Sequence, residues 1–272
     1  MIVLEIKDQI KRLTGYRYTL ITARGNAAIS AALSILPKDK KLLIPEEGGW
    51  IHYYKGPEKL KLDVEKVKCT DAVIDVHNLK EKLRSKEFSA LLYQQPGGYF
   101  AEQPLKEIYE LCQNYDCVVI VDLSGAIGTN LWDYHSADVL VGSFGEGKLV
   151  EAHVGGFISC NDKKLFEKIK PFVEELKENS SLNKILEKLL SLEKRINYLT
   201  TIRKKVLQDL KSFEIVRPQD VGFVVVVKFK YELEKEKIIK YCEDNNLTWT
   251  ECPRYIRLNQ KAISIEIKKI IG

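Results

Sequence analysis

Asp122, Ser143 and Lys148 stand where packing alone gives a poor account of their residue types. Asp122 directly follows the apolar run Cys117-Val118-Val119-Ile120-Val121, while Ser143 and Lys148 come just after a second run, Val139-Leu140-Val141. Runs that are apolar at every position suit central strands of a parallel sheet, covered on both faces. In open α/β sheets the carboxyl edge of those strands is where ligands bind. A carboxylate there can hold a proton, a hydroxyl can hold an anion, and a partly desolvated lysine amine can attack a carbonyl carbon. Upstream, Arg24-Gly25-Asn26-Ala27-Ala28 opens a helix, whose free N–H groups and positive dipole end also suit an anion. Taken singly, each has a plainer use: a loop lysine is solvated, and Asp122 and Gly25-Asn26 can cap a turn or a helix.

The order of these features is more specific than any one of them. Val119-Ile120-Val121-Asp122-Leu123-Ser124-Gly125-Ala126 leads to Val139-Leu140-Val141-Gly142-Ser143-Phe144-Gly145-Glu146-Gly147-Lys148 and then to Gly155-Gly156-Phe157-Ile158. The series resembles the pyridoxal 5'-phosphate (PLP) enzymes of the aspartate aminotransferase fold, fold type I. The Ser-Phe-x-x-x-Lys spacing and the 26 residues from Asp122 to Lys148 are most similar to the DegT-like sugar aminotransferases. The resemblance implies that Asp122 pairs with the pyridine nitrogen, Ser143 binds phosphate and Lys148 forms the Schiff base. It also places Arg24, Gly25 and Asn26 in the phosphate cup. Gln95, in Gln95-Pro96-Gly97-Gly98, falls where some members carry Asn. Gln95 and Ser124 are the two candidates for a hydrogen bond to the cofactor's 3-hydroxyl.

A flat polarizable face is needed over the ring, and Gly48-Gly49-Trp50-Ile51-His52-Tyr53-Tyr54 follows a strand end. Trp50 is the expected stacking residue and His52 the next candidate. Many members of the wider fold grip the substrate carboxylate with an arginine on a late strand, and an arginine fork donates two parallel hydrogen bonds to a carboxylate. Arg254 and Arg257 compete for that role in Pro253-Arg254-Tyr255-Ile256-Arg257-Leu258. On a strand they would face opposite sides, and Arg257, inside the apolar run, is the one expected to bind substrate. No histidine or cysteine spacing suggests a metal.

Element order agrees with an α/β fold. Apolar periodicity predicts helices at Ile2–Leu13, Asn26–Leu36, Leu79–Arg84 and Pro104–Tyr115. Between them fall strands at Lys41–Ile44, Ala72–Ile74, Ala90–Tyr93, Cys117–Val121, Val139–Gly142 and Gly155–Ser159. That alternation implies a mostly parallel sheet with helices on both faces. Long charged helices at Lys163–Lys177 and Ser181–Lys211 then open a small α+β region with strand Phe223–Phe229, helix Glu234–Asn245 and strand Arg254–Leu258. The expected division is a large PLP-binding domain at 1–160 and a small domain at 161–272. After the glycine pair about 110 residues follow, so by the resemblance a second domain shorter than that of sugar aminotransferases is expected.

Composition narrows the remaining choices. The chain is 45% hydrophobic and 30% charged, with a net charge of +5, which is ordinary for a globular protein. The basic excess lies in Asp162–Lys211, interleaved with acids at helical spacing, so solvated helix faces are expected there and nucleic acid is not. The six cysteines lack any C-x-x-C pair and are expected to be reduced thiols. With no membrane-length apolar run and no secretory leader pattern, the cytosol is the expected compartment. Abundant Lys, Glu and Ile with a single Met is a heat-tolerant composition. The expected protein is therefore a PLP-dependent aminotransferase acting on a small amino-acid or amino-sugar substrate, and the resemblance implies a homodimer. On the same fold a carbon–sulfur lyase, a sulfur or selenium transferase or an aldolase are the alternatives, and a non-catalytic binding protein is the rival of a different class.

Overall fold

The computed structural model describes residues 1–270. Its centre is a seven-stranded sheet in the order β1 (Tyr18–Thr22), β9 (Gly156–Cys160), β8 (Val139–Ser143), β7 (Val118–Asp122), β6 (Phe88–Gln94), β2 (Lys41–Pro45), β3 (Val64–Val67). From β8 to β3 neighbouring strands run parallel, and β9 is antiparallel to both β8 and β1. Two short strands, β4 (Cys69–Thr70) and β5 (Val73–Ile74), form a separate hairpin.

The alternation of strand side chains divides the core into two layers. Ala90, Leu92 and Ile120 face one layer with α2 (Gly25–Ser34) and α3 (His52–Leu60). Leu91, Tyr93, Val119 and Val121 face the other, which holds α1 (Ile2–Thr14), α4 (Val76–Leu83) and α5 (Leu105–Gln113). The helices earn these places by periodicity. Ile6, Ile10 and Thr14 are the buried residues of α1, and Leu105, Ile108 and Cys112 those of α5.

Beyond β9 the chain departs from the expected pair of long helices. The first is only α6 (Lys163–Ile169) with a 3-10 turn at Lys170–Phe172. Pro171 lacks an N–H and disfavours a continuing helix. The chain then runs extended beside β1, with Ala23 N–H donating to the Glu174 carbonyl and Leu176 N–H to that of Ile21. The second is divided into α7 (Asn179–Leu190) and α8 (Leu192–Asp209) at Ser191, whose hydroxyl donates to the Glu187 carbonyl.

The second sheet has the order β10 (Glu214–Ile215), β11 (Val225–Lys228), β13 (Ala262–Ile265), β12 (Trp249–Cys252), and all its pairings are antiparallel. α9 (Glu232–Asp244) packs on it. Residues 254–258, expected as a strand, form a closed turn, because Arg254 N–H donates to the Leu258 carbonyl and Arg257 N–H to that of Arg254. Val225 and Ile263 share one hydrophobic cluster with Leu123 and Phe144, so the core is continuous between the sheets. Among the described residues no helix is long and apolar enough to cross a membrane.

Candidate active site

The carboxyl ends of β7 and β8 and the amino end of α2 converge on a cavity of about 220 Å³. Asp122, Ser143, Lys148, Trp50 and Gly25 all line it. Sequence separations of up to 123 residues are closed here by the sheet itself, because β7 and β8 are parallel neighbours and β9 brings the chain back beside β1.

Asp122 is the last residue of β7 and is 6% exposed. Its Oδ1 accepts from the Ser124 N–H at 2.9 Å and the Ser124 hydroxyl at 2.6 Å, and Oδ2 accepts from the Tyr53 hydroxyl at 3.1 Å. A carboxylate offers roughly four lone-pair sites, so these bonds fix its plane and leave it accepting capacity. Burial, then Asp122, pushes the Tyr53 hydroxyl well above its ordinary pKa, which keeps Tyr53 a donor. Ser124 also accepts from the Ser143 N–H at 2.9 Å, tying β7 to β8 beneath the cavity. Its hydroxyl proton is spent on Asp122, so for the 3-hydroxyl role expected from the sequence it keeps only an acceptor lone pair.

At the opposite side, α2 starts without any side-chain cap, so its first N–H groups have no intrahelical partner. A Cβ on Gly25 would lie 2.5 Å from the Ser143 Cβ, a clash that only glycine avoids. The close approach sets the Ser143 hydroxyl against the positive end of the helix, which makes an anion cradle. Arg24 lies at its rim, with its guanidinium exposed and 3.8 Å from Glu174. The expectation for Asn26 concerns its backbone N–H; its side chain has a separate use, since its Oδ1 accepts from Trp50 Nε1 at 3.0 Å and so orients the indole.

Lys148 is 8% exposed although it sits in a loop. Its Nζ lies 4.6 Å from the centroid of the Trp50 ring and donates to the Tyr99 hydroxyl at 2.6 Å. The loop is held from outside, because the Gly147 N–H donates to Glu151 and the Gly147 carbonyl accepts from Lys268 Nζ at 3.1 Å. Arg195 completes the hold, donating to Glu151 at 2.8 Å and to the Lys268 carbonyl at 2.9 Å.

Three sequence expectations are corrected by position. Gln95 turns away from the cavity: its Nε2 donates to the Leu131 carbonyl at 2.9 Å and its Oε1 accepts from the Gln103 N–H at 3.0 Å. The residue paired with Asp122 across the sheet is Gln94. His52 packs on α2, with Nε2 at 2.9 Å from the Ser30 hydroxyl, and burial holds its pKa below the usual value. Arg257 is buried in a turn with four of its five donors engaged. Its Nε meets Ser264 at 3.0 Å, Nη1 the Ile256 carbonyl at 2.6 Å, and Nη2 the Glu266 oxygens at 2.8 and 2.6 Å. It is an internal ion pair whose fork is already taken by Glu266, so no two parallel donors remain for a substrate carboxylate.

Arg257 and Glu266 belong to a second chamber of about 340 Å³ that shares Trp50, Tyr99 and Lys148 with the first. Burial opposes ionisation of Glu266, yet Arg257 and Lys268 outweigh it and hold the carboxyl down at about 2. Burial likewise pushes Lys268 down to about 7, despite Glu266 at 3.3 Å. Tyr53, Tyr99 and Lys268 escaped the sequence reading. The only hint was an aromatic directly after Gly97-Gly98, and nothing local marks the other two.

The pattern of the DegT/DnrJ/EryC1/StrS aminotransferase family matches residues 54–218, which include β6 to β9, Asp122, Ser143 and Lys148. The chain belongs to this family. This DegT-family chain is thus an enzyme of a PLP-dependent aminotransferase family. Solved structures show the fold. Serine palmitoyltransferase from S. paucimobilis is 16% identical with a TM-score of 0.75, over 96% of this chain and 70% of that one. Bacillus subtilis ureidoglycine-glyoxylate aminotransferase is 15% identical with a TM-score of 0.74, over 97% and 78%. E. coli GDP-4-keto-6-deoxy-D-mannose-3-dehydratase, solved with hydrated PLP, is 14% identical with a TM-score of 0.76, over 97% and 87%. No curated protein matches the DegT-family chain.

Proposed function

We propose that the protein binds PLP in the Asp122–Lys148 cavity and transfers an amino group to or from a small amino-acid or amino-sugar substrate. The observation that carries this reading is the buried Lys148 amine over the Trp50 ring, in one cavity with an acid at one side and an uncapped helix start at the other. The residues fit the cofactor in kind. An anion cradle built by a glycine that admits no Cβ suits a phosphate, and a braced carboxylate suits a protonated ring nitrogen.

Bound PLP supplies an electron sink for negative charge at the substrate Cα. The protein's own groups do the rest. Gly25, Asn26 and Ser143 hold the phosphate, while Trp50, fixed by Asn26, offers its face to the ring. Asp122 keeps a proton on the ring nitrogen, and Tyr53 and Ser124 keep Asp122 in plane. Lys148 Nζ would be the group that holds the cofactor covalently, and the same amine would carry the proton to and from Cα. Arg24 adds positive charge at the rim. The chain is read as two units, 1–160 and 161–272, that meet at the second chamber, and as half of a homodimer, which light scattering tests.

Borohydride reduction of the PLP-treated protein, followed by peptide mapping, is expected to put the pyridoxyl group on Lys148 and to give none in Lys148→Ala. A label on another lysine, or on none, would refute the reading.

A further inference from the structure

Tyr99 is the hydrogen-bond partner of the Lys148 amine among the described residues, and its position is built with care. Its φ of 69° lies in the left-handed region, which a non-glycine residue adopts when its surroundings impose it. The surroundings do so at three points. Phe223 N–H donates to the Tyr99 carbonyl at 2.8 Å. Gly125 leaves room for the ring, since a Cβ there would come within 2.8 Å of it. The ring also faces three cations, with Lys268 Nζ at 4.7 Å, Lys148 Nζ at 5.0 Å and the Arg257 guanidinium carbon at 5.5 Å from its centroid. Cations over an aromatic face are attracted to it.

We propose that Tyr99 is a catalytic residue whose hydroxyl holds the Lys148 amine in both protonation states while that amine carries the Cα proton. The inference rests on Lys148 being the reactive lysine. When Nζ has taken the proton from Cα it is an ammonium and donates to the Tyr99 oxygen. When Nζ is neutral, the phenol O–H donates to its lone pair instead. The phenol keeps its own proton throughout, so the proton that leaves Cα rests on Nζ and is handed on from there to the carbon that takes it up in the amino-group transfer. Nothing else is consumed.

The charged groups around the phenol agree with this role. Lys148, Arg257 and Lys268 face the ring, Asp122 lies across the first cavity, and Glu266 sits behind Arg257 and Lys268. Burial raises the phenol's pKa, Lys148 and Arg257 oppose the rise and Asp122 adds to it, with a net shift upward. The hydroxyl therefore stays protonated and can answer either state of the amine. A buried ammonium without that acceptor is costly, so removing the hydroxyl makes protonation of Nζ harder.

The test uses protein without cofactor. Tyr99→Phe keeps the ring and its cation contacts, and trace acetylation with acetic anhydride over a series of pH values, read on the Lys148 peptide by mass spectrometry, gives the amine's apparent ionisation. A hydrogen bond to the charged form is stronger than one to the neutral form, so the variant's profile is expected to move down by about one pH unit. An unshifted profile in folded Tyr99→Phe overturns the proposal. Lys148→Met reads the pair from the other side: in protein carrying 13Cζ-tyrosine, loss of the ammonium is expected to move the Tyr99 resonance, and an unmoved tyrosine spectrum overturns the proposal even where Tyr99→Phe does not fold. Because neither measurement needs PLP, failure of the borohydride test would refute the site reading separately.

Discussion

Lys148 and Arg257 are both buried cations against the same tyrosine ring, yet their surroundings differ in kind. Arg257 spends its guanidinium on Ser264, Glu266 and the Ile256 carbonyl, and its counter-charge is as buried as itself. Among the described residues Lys148 has one hydrogen bond and no carboxylate in salt-bridge contact, and a cavity lies in front of it. A cation whose donors are mostly answered from within holds a fold together. One whose donors are left over is ready to meet something else. The difference lies in the partners, and burial alone does not reveal it.

The largest effect expected is on the reactive side of this comparison. Asp122→Asn should leave Lys148 able to carry the pyridoxyl label but cost about a thousandfold in turnover, the upper range for a preorganised electrostatic partner. Near wild-type turnover in that variant, with any amino-acid substrate it accepts, would make Asp122 a turn cap. On the other side, Arg257→Ala should strip the buried Glu266 of its bidentate donor, at about 3 kcal/mol in denaturant unfolding. Its cofactor absorbance should be unchanged. Weakened amino-acid affinity with intact stability would reverse the two assignments.

A pH series sharpens the same contrast. Glu266 is held at about 2 in the folded protein against an ordinary 4.5, so its contribution is complete above 4.5 and is lost as pH falls through that window. Lys268 has the opposite sense. Its folded pKa of about 7 lies below the ordinary 10.5, so the folded state resists its charge and stability rises between those values as the lysine is relieved of its proton. Thermal unfolding should show the acid limb, and Glu266→Gln should flatten it. The smallest effect belongs to Arg24→Ala. Its pair with Glu174 is exposed on both sides, and such pairs contribute under about 1 kcal/mol. A large loss of PLP affinity in that variant would move Arg24 from the rim into the cradle.

What the sequence disclosed follows from how the site is assembled. Asp122, Ser143 and Lys148 sit at or just beyond the ends of neighbouring parallel strands, so a linear pattern of apolar run and polar end carries their position. Gly25 was legible as a helix start. Tyr53 and Lys268 reach the site from α3 and from the chain after β13, and no local pattern announces a hydroxyl 69 residues from the acid it orients. Arg257 was misread because its counter-charge, Glu266, lies across a turn and a strand, and only the fold shows the two in contact. The long helices failed for local reasons that were present all along: Pro171 and Ser191 interrupt an otherwise continuous amphipathic pattern.

The grip on Gly147 bears on time as well as place. With its N–H on Glu151 and its carbonyl on Lys268, this residue is pinned on both sides of its Cα, immediately before Lys148. Motion of the amine is thereby left to the four methylenes of Lys148 and does not require the loop to open. Rotamer exchange is orders of magnitude faster than the microsecond-to-millisecond opening of lids. In hydrogen–deuterium exchange the Gly147 amide should be among the slowest of its loop, and turnover should not be paced by that loop's breathing.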